Sequence, residues 1–179
     1  RFSNSLLSAY FLGMAAISVV VYFLMPYLSR VVSPGFSVAQ HENLVFYTRI
    51  MLLSPFLFGI SSLFSAFTQV KQKFLSFAIA PLLYNICIVI GIIFLYPKFG
   101  VLGVILGVII GAIFHVSIQV PSLLSVGKFP RIIKNIDWKM IRAVVSQSLP
   151  RTLGLSITNI IFISMSAIAS LLVAGSISV

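Results

Sequence analysis

Five runs of apolar residues are each long enough to cross a lipid bilayer as a helix. A bilayer core about 30 Å thick needs about 20 apolar residues in helical form, because it holds no water to pair backbone polar groups. The runs that meet this length cover residues 5–28, 44–70, 75–96, 101–124 and 143–173. The sequence therefore predicts an all-α fold, a polytopic bundle of transmembrane helices.

The composition agrees with a membrane protein and excludes a soluble domain. Hydrophobic residues make up 60% of the chain and charged residues 8%, whereas soluble proteins carry about 25% charged residues. The 12 Lys and Arg residues outnumber the 2 Asp and Glu residues. Nucleic-acid binding would need a basic face on a soluble fold. Here the cations stand singly between apolar runs, so no nucleic-acid partner is predicted.

The distribution of these cations predicts the topology, because Lys and Arg are enriched in cytoplasmic loops. One side of the predicted bundle carries only Arg30 and Lys98. The other side carries eight cations, namely Arg1, Lys71, Lys73, Lys128, Arg131, Lys134, Lys139 and Arg142. We therefore expect Lys71–Lys73 and Lys128–Arg142 in the cytoplasm and the Ser33–Gly35 turn outside.

The polar stretch 128–142 separates four predicted spans from the fifth. Its isoleucines recur at helical spacing between cations, which is typical of an amphipathic segment on an anionic membrane surface. The alternative is an extended linker in which Asp137 caps a helix that starts at Trp138. Either interpretation gives the same division: residues 1–127, a cytoplasmic crossover at 128–142, and residues 143–179.

The residues that commonly carry chemistry are few and scattered. The acids Glu42 and Asp137 lie in predicted loops on opposite sides, so they cannot act as an acid–base pair. His41 and His115 are likewise apart, and no Cys/His/Asp cluster has metal-ligand spacing. The sequence predicts no enzyme, no metal site and no cofactor.

The fourth run carries glycines at four-residue spacing: Gly103, Gly107 and Gly111. Small residues at this spacing let helix backbones approach closely in lipid. The pattern favours helix packing over a moving or substrate-facing role. The same ridge continues to His115 and Gln119, where His115 is a candidate for lining a substrate pathway, although a hydrogen-bonded packing role is favoured.

Two arginines lie inside apolar runs, where charge is costly unless it faces water or a partner. Arg151 follows Pro150 and shares a helical face with Gln147 and Thr158, so a cavity-facing position is favoured. For Arg49 a cavity and snorkelling to the interface remain equal alternatives. These four residues are the other candidates for a substrate pathway.

Several motifs together resemble the MurJ (MviN) family of lipid II flippases. They hold their order and spacing over nearly the whole chain, although each alone is weak. They are Val32-Ser33-Pro34-Gly35-Phe36, Thr48-Arg49-Ile50-Met51, Ala78-Ile79-Ala80-Pro81-Leu82-Leu83-Tyr84-Asn85, Gln119-Val120-Pro121, Leu149-Pro150-Arg151-Thr152-Leu153-Gly154-Leu155-Ser156 and Gly175-Ser176-Ile177-Ser178.

The resemblance implies a two-lobe exporter fold in the bacterial inner membrane, with this chain as an internal piece from about the third to the start of the eighth helix. The stretch 128–142 would join the lobes. The implied activity is alternating-access flipping of the undecaprenyl-pyrophosphate-linked peptidoglycan precursor. Membrane lipids and this polyprenyl-pyrophosphate-linked substrate are the implied partners, and a coupling ion is an open question. Met165 stands where the family usually has Asp or Asn, which puts a polar contact there in doubt.

Two other functions remain as alternatives. One is a related exporter of the same superfamily for polysaccharide lipids or, coupled to cations, for drugs. The other is a membrane scaffold without transport, which would need no wet, charged interior.

Prolines within the runs fit a transporter, whose helices are commonly broken. They are Pro26, Pro55, Pro81, Pro121 and Pro150.

The topology can be tested by labelling in intact cells. In the full-length protein with a Cys87→Ser background, Ser33→Cys should react with a membrane-impermeant thiol reagent, because its turn faces outward. Gln72→Cys should react only after the cells are opened. The reverse labelling pattern would overturn the predicted orientation.

Overall fold

A computed structural model describes residues 2–70, 72, 74–125, 131–133 and 135–171, and every regular element in this part is helical. Five helical spans are long and apolar enough to cross a membrane: Phe2–Val32, Val38–Val70, Leu75–Phe99, Val101–Ser125 and Trp138–Ala169. The all-α fold class and the five spans are thus confirmed. Arg1, Lys71, Lys73, Lys128, Lys134 and the motif at 175–178 lie outside the described residues.

Turns and breaks divide the five spans into shorter helices. In chain order these are α1 (Phe2–Val32), α2 (Val38–Met51), α3 (Leu53–Val70), α4 (Leu75–Ile90), a π-helical segment (Gly91–Leu95), α5 (Tyr96–Phe99), α6 (Val101–Ser117), α7 (Val120–Ser125) and α8 (Trp138–Ala169).

The second span begins six residues earlier than the apolar pattern predicts, at Val38 instead of Leu44. Its start is a capping box: the Ser37 backbone N–H donates to Gln40 Oε1 at 2.8 Å, and the Gln40 N–H donates to Ser37 Oγ at 3.4 Å. These bonds satisfy N–H groups that a helix start leaves unpaired. The prediction of a loop at Glu42 is therefore wrong, since this acid lies on α2.

The third span also continues beyond its predicted end at Tyr96. Pro97 cannot donate a backbone hydrogen bond, and the turn just before it is widened: the Tyr96 N–H donates to the Gly91 carbonyl, five residues back. The helix then runs to Phe99 and ends at Gly100, whose φ of +59° suits glycine. Of the predicted turn at 97–100, only Gly100 lies outside the helix.

The stretch before the last span follows the second of its two interpretations. Residues 131–133 and 135–137 are not helical, and α8 begins at Trp138 instead of Ala143. Asp137 is the N-cap, because its Oδ1 accepts from the Met140 N–H at 3.1 Å.

The chain divides into two compact units, which are described separately. Unit 1 contains Arg1–Ile17 and Ile50–Ile136, and unit 2 contains Ser18–Arg49 and Asp137–Val179.

In unit 1, α6 packs its glycines against the backbone of α4 and the π-helical segment. A Cβ atom placed on Gly107 would lie 2.9 Å from the Gly91 Cα and 3.0 Å from the Cys87 carbonyl oxygen. One placed on Gly111 would lie 2.9 Å from the Tyr84 carbonyl oxygen, and one on Gly103 would overlap the Leu95 carbonyl. A side chain at these positions would push the two backbones apart.

Polar contacts join the helix ends within each unit. In unit 1 the linker is held to the start of α1: the Arg131 N–H donates to Asn4 Oδ1 at 3.0 Å, and the Ile133 N–H donates to Ser8 Oγ at 2.8 Å. In unit 2 the Gly35 N–H donates to Ser170 Oγ at 3.2 Å. A Cβ atom on Gly35 would overlap the Ser170 carbonyl, so the turn after α1 needs glycine to reach the end of α8.

The glycine contact makes a stability prediction. Gly107→Leu should lower the yield of folded protein and its resistance to heat in detergent, because overpacking a tight contact costs about 1–3 kcal/mol. Gly13→Leu is the matched control, since nothing lies within 4 Å of a Cβ atom there. Equal yields and melting temperatures for the two variants would mean that α4 and α6 do not pack through this ridge.

Candidate functional site

The predicted site residues fall in separate parts of the structure. His115 lies in unit 1, at the contact between α3 and α6. Arg49 lies on α2 in unit 2, and Gln147, Arg151 and Thr158 lie on α8 in the same unit.

Arg49 is bound to a carbonyl group that a proline leaves free. Pro26 lies inside α1, and because proline has no backbone N–H, the Tyr22 carbonyl four residues earlier lacks its helical donor. The Arg49 Nε–H donates to this carbonyl oxygen at 3.1 Å. The guanidinium carbon also lies 4.3 Å from the centroid of the Tyr22 ring, within cation–π range. Arg49 therefore satisfies the carbonyl that Pro26 leaves free, while its charge lies against an aromatic ring.

The same arginine lines a cavity of about 370 Å³ between the last turns of α1 and α2. Two guanidinium groups, Arg30 and Arg49, and one carboxylate, Glu42, are part of its lining, together with the His41 imidazole. The other lining residues are Pro26, Ser29, Val38, Val45 and Phe46. The cavity thus combines apolar walls with an excess of one positive charge, and its chemistry suits the binding of an anion.

His115 belongs to a hydrogen-bonded cluster at a break in the fourth span. The helix is interrupted at Ile118–Gln119, where the Gln119 N–H donates to the Val116 carbonyl at 3.1 Å instead of to the His115 carbonyl. Side chains take over the freed carbonyl: the Ser61 hydroxyl donates to it at 3.2 Å and Gln119 Nε2 at 3.0 Å. The Ser61 hydroxyl also lies 2.7 Å from His115 Nδ1.

The other polar side chains of this cluster are buried. Gln119 is fully buried, donates to the Ser61 hydroxyl and accepts from the Ser65 hydroxyl at 2.7 Å. The rings of Phe58 and Tyr84 stand edge-on to the His115 ring, with centroids at 5.1 and 6.4 Å. Such a satisfied network binds two helices together in lipid, where unpaired polar groups are costly. The contacts of His115 are those of a packing residue.

The polar residues of α8 have a different environment. No described residue of α8 is buried, and Gln147, Arg151 and Thr158 are all exposed. Thr152 and Ser156 turn their hydroxyls back to carbonyls four residues earlier, at 3.0 and 2.8 Å. The exposure of Arg151 is therefore shared by most of α8, apolar residues such as Leu153 included, and does not by itself distinguish a substrate-facing position.

The part of the chain that the structure describes contains no group of three or more His, Cys, Asp or Glu side chains that could hold a metal ion. What it offers is positive charge, hydrogen-bond donors and apolar walls. These can bind and position an anionic, lipid-soluble molecule.

Sequence analysis missed the partners of both Arg49 and His115. The partner of Arg49 was signalled only by Pro26. The partners of His115 were signalled by small polar residues on one face of α3, all buried; they are Ser54, Ser61, Ser65 and Thr68. Arg30 entered the sequence analysis as a marker of topology alone, since its place in the cavity depends on how α1 meets α2.

A comparison with known families decides the identity. A family model described as lipid II flippase MurJ matches residues 1–179. The chain belongs to the MurJ family of lipid II flippases. The resemblance carried by the six motifs is confirmed.

Family membership gives the chain its biological setting. MurJ proteins are multi-pass transporters of the inner membrane that flip lipid II for peptidoglycan biosynthesis, and the five spans fit that setting. Their partners are membrane lipids and the lipid-linked substrate. The function predicted from the sequence, lipid II flipping, is supported over the alternatives of a drug exporter and a scaffold.

The cluster around His115 gives a stability prediction. Ser61→Ala removes three hydrogen-bond contacts of α3, two with His115 of α6 and one with Gln119 at the interruption that follows α6. Interhelical hydrogen bonds in membranes contribute about 0.6 kcal/mol each, so we expect a loss of about 1–2 kcal/mol in unfolding experiments in detergent. Ser62→Ala is the control, because the exposed Ser62 hydroxyl only donates to the Phe58 carbonyl of its own helix, at 2.9 Å. If both variants had the same free energy of unfolding, the cluster would not contribute to the stability of the fold.

Proposed function

We propose that this chain forms part of the route of lipid II through the flippase and that Arg151 meets the pyrophosphate of the substrate during alternating access. The observation that carries the proposal is the position of this arginine. It lies inside a span of 32 residues, about 20 Å along the helix axis from Trp138.

A charge at such a depth needs compensation. Translocon-based scales put an arginine at the centre of a membrane helix at about 2.5–3.5 kcal/mol, so these residues normally face a wet cavity or a partner. The chain has only two acids. Asp137 caps the start of α8, and Glu42 lies in the first turns of α2. Neither acid of these 179 residues is thus placed to pair with Arg151, and we assign that role to a ligand anion or to cavity water.

The neighbouring side chains support a polar pathway along α8. Gln147 lies one turn before Arg151 and Thr158 two turns after it, on the same helical face. A guanidinium group suits a pyrophosphate because its planar fork donates two parallel hydrogen bonds to phosphate oxygens. An amide and a hydroxyl group on the same stripe add donors for the polar headgroup, while the polyprenyl tail stays in lipid.

The other candidates contribute less to this route. Arg49 adds positive potential, but one of its N–H groups is committed to the Tyr22 carbonyl. His115 shares its Nδ1 with the Ser61 hydroxyl, and we assign it to packing. No step of the proposed route makes or breaks a covalent bond, and the chain acts as a transporter and not as an enzyme.

The route also has a proposed direction in the membrane. The charge asymmetry supports an outward Ser33–Gly35 turn and a cytoplasmic linker before α8. Five spans that alternate in direction bring the end of α8 to the same side as this turn, and the hydrogen bond between Gly35 and Ser170 is consistent with that arrangement.

The role of Arg151 can be tested by complementation and by a lipid II flipping assay with the full-length protein. Arg151→Gln should insert and fold but lose most transport, because the amide keeps hydrogen bonding and loses the charge. Arg151→Lys should keep part of the activity, since lysine supplies charge without the planar fork.

Lys139→Gln is the matched control, because it removes an exposed cation from the first turn of the same helix. It should transport normally. Normal transport by Arg151→Gln would show that the arginine only snorkels or stabilises α8, and the proposed role would fail.

A further inference from the structure

The cavity between α1 and α2 has features that the flipping route does not use. Its lining reaches from Arg30, in the last turn of α1, to Arg49, in the last turn of α2. Arg30 therefore lies at the end of the first membrane span, while Arg49 lies about 17 Å along the second span from Val38. A volume of about 370 Å³ falls within the range of small-molecule sites, about 300–1,000 Å³.

The lining of the cavity is divided between two kinds of group. Arg30 and Arg49 supply positive charge, while Val38, Val45 and Phe46 supply apolar surface. A free inorganic anion would use only the cations. A phospholipid uses both, because its phosphate and its acyl chains enter together. The mixed lining thus favours a lipid over a dissolved ion.

Arg49 is held in position before any ligand arrives. The bond to the Tyr22 carbonyl occupies its Nε–H, and the Tyr22 ring lies against its guanidinium group. Its terminal amines donate no hydrogen bond to any residue in the described part of the chain. A guanidinium group fixed in this way is preorganised for phosphate oxygens, because less side-chain freedom is lost on binding.

We propose that this cavity is a binding site for the phosphate group of an anionic membrane phospholipid, held by Arg30 and Arg49. The site is separate from the substrate contact proposed at Arg151. The lipid would fill the space between the two helices and neutralise the excess charge of the lining. Glu42 would limit the affinity, since its carboxylate repels the phosphate.

The proposal can be tested by native mass spectrometry of the full-length protein, titrated with phosphatidylglycerol and with zwitterionic phosphatidylcholine. We expect stronger retention of phosphatidylglycerol, and an affinity about five-fold weaker in Arg30→Gln, the effect expected for one cation at a membrane surface. Glu42→Gln should act in the opposite direction and strengthen binding. Arg30→Lys should retain binding, and an unchanged melting temperature of Arg30→Gln would show that the variant is folded.

Lys98→Gln is the matched control, because it removes an exposed cation at the end of the third span, outside the cavity. Equal affinities of Arg30→Gln and Lys98→Gln would overturn the site. Displacement of phosphatidylglycerol by millimolar inorganic phosphate would overturn the lipid as occupant in favour of a free anion. Displacement by a small excess of undecaprenyl pyrophosphate would overturn it in favour of the transported substrate. The flipping assay of Arg151→Gln is independent of all three outcomes.

Discussion

Inside a bilayer, a backbone carbonyl that has lost its helical N–H donor cannot bind water instead. A proline or an interruption in a membrane helix therefore requires another hydrogen-bond donor nearby. This chain supplies such partners from side chains. The carbonyl of Tyr22, which Pro26 leaves free, accepts from Arg49. The carbonyl of His115 lacks its helical donor because the fourth span is interrupted before Pro121. It accepts from the hydroxyl of Ser61 on α3 and from Nε2 of Gln119 at the interruption. The need to pair free backbone carbonyls thus explains why Arg49, Ser61 and Gln119 lie within the spans.

The same requirement explains how α6 changes its way of packing along one ridge. Near its start, Gly103, Gly107 and Gly111 bring its backbone against α4 and the π-helical segment with no room for a side chain. One and two turns later the ridge carries His115 and Gln119, which bond to α3. Van der Waals contact between backbones and hydrogen bonds between side chains are the two sources of helix association that lipid leaves available. Here they act one after the other along the fourth span, from α6 to the interruption that follows it.

The spans could be predicted from sequence because the length of an apolar run is a local property. The start of α2 could not be predicted in the same way, since Ser37 and Gln40 look like a polar loop until their reciprocal capping bonds are seen. The site was harder still. Pro26 indicates that a carbonyl is free, but only the crossing of α1 and α2 shows that Arg49 reaches it. Arg30, which sequence reasoning used only for topology, joins the cavity through that same crossing. The length of a helix thus depends on its own sequence, whereas the meeting of Arg30 and Arg49 in one cavity depends on how α1 and α2 pack.

Charge balance links the two proposed anion contacts and separates their tasks. The two acids of these 179 residues cannot neutralise their 12 cations, and lipid phosphate groups are suitable counterions. Arg30 lies at the end of the first span, beside the lipid headgroups, and Arg49 lies deeper along the same cavity. At mid-span, phosphate reaches Arg151 only while a headgroup crosses. A contact of that kind must be strong enough to admit the headgroup and weak enough to release it, as in other membrane pathways. The contact proposed at Arg151 is therefore transient, whereas Arg49, which is held by the carbonyl and the ring of Tyr22, suits a permanent one.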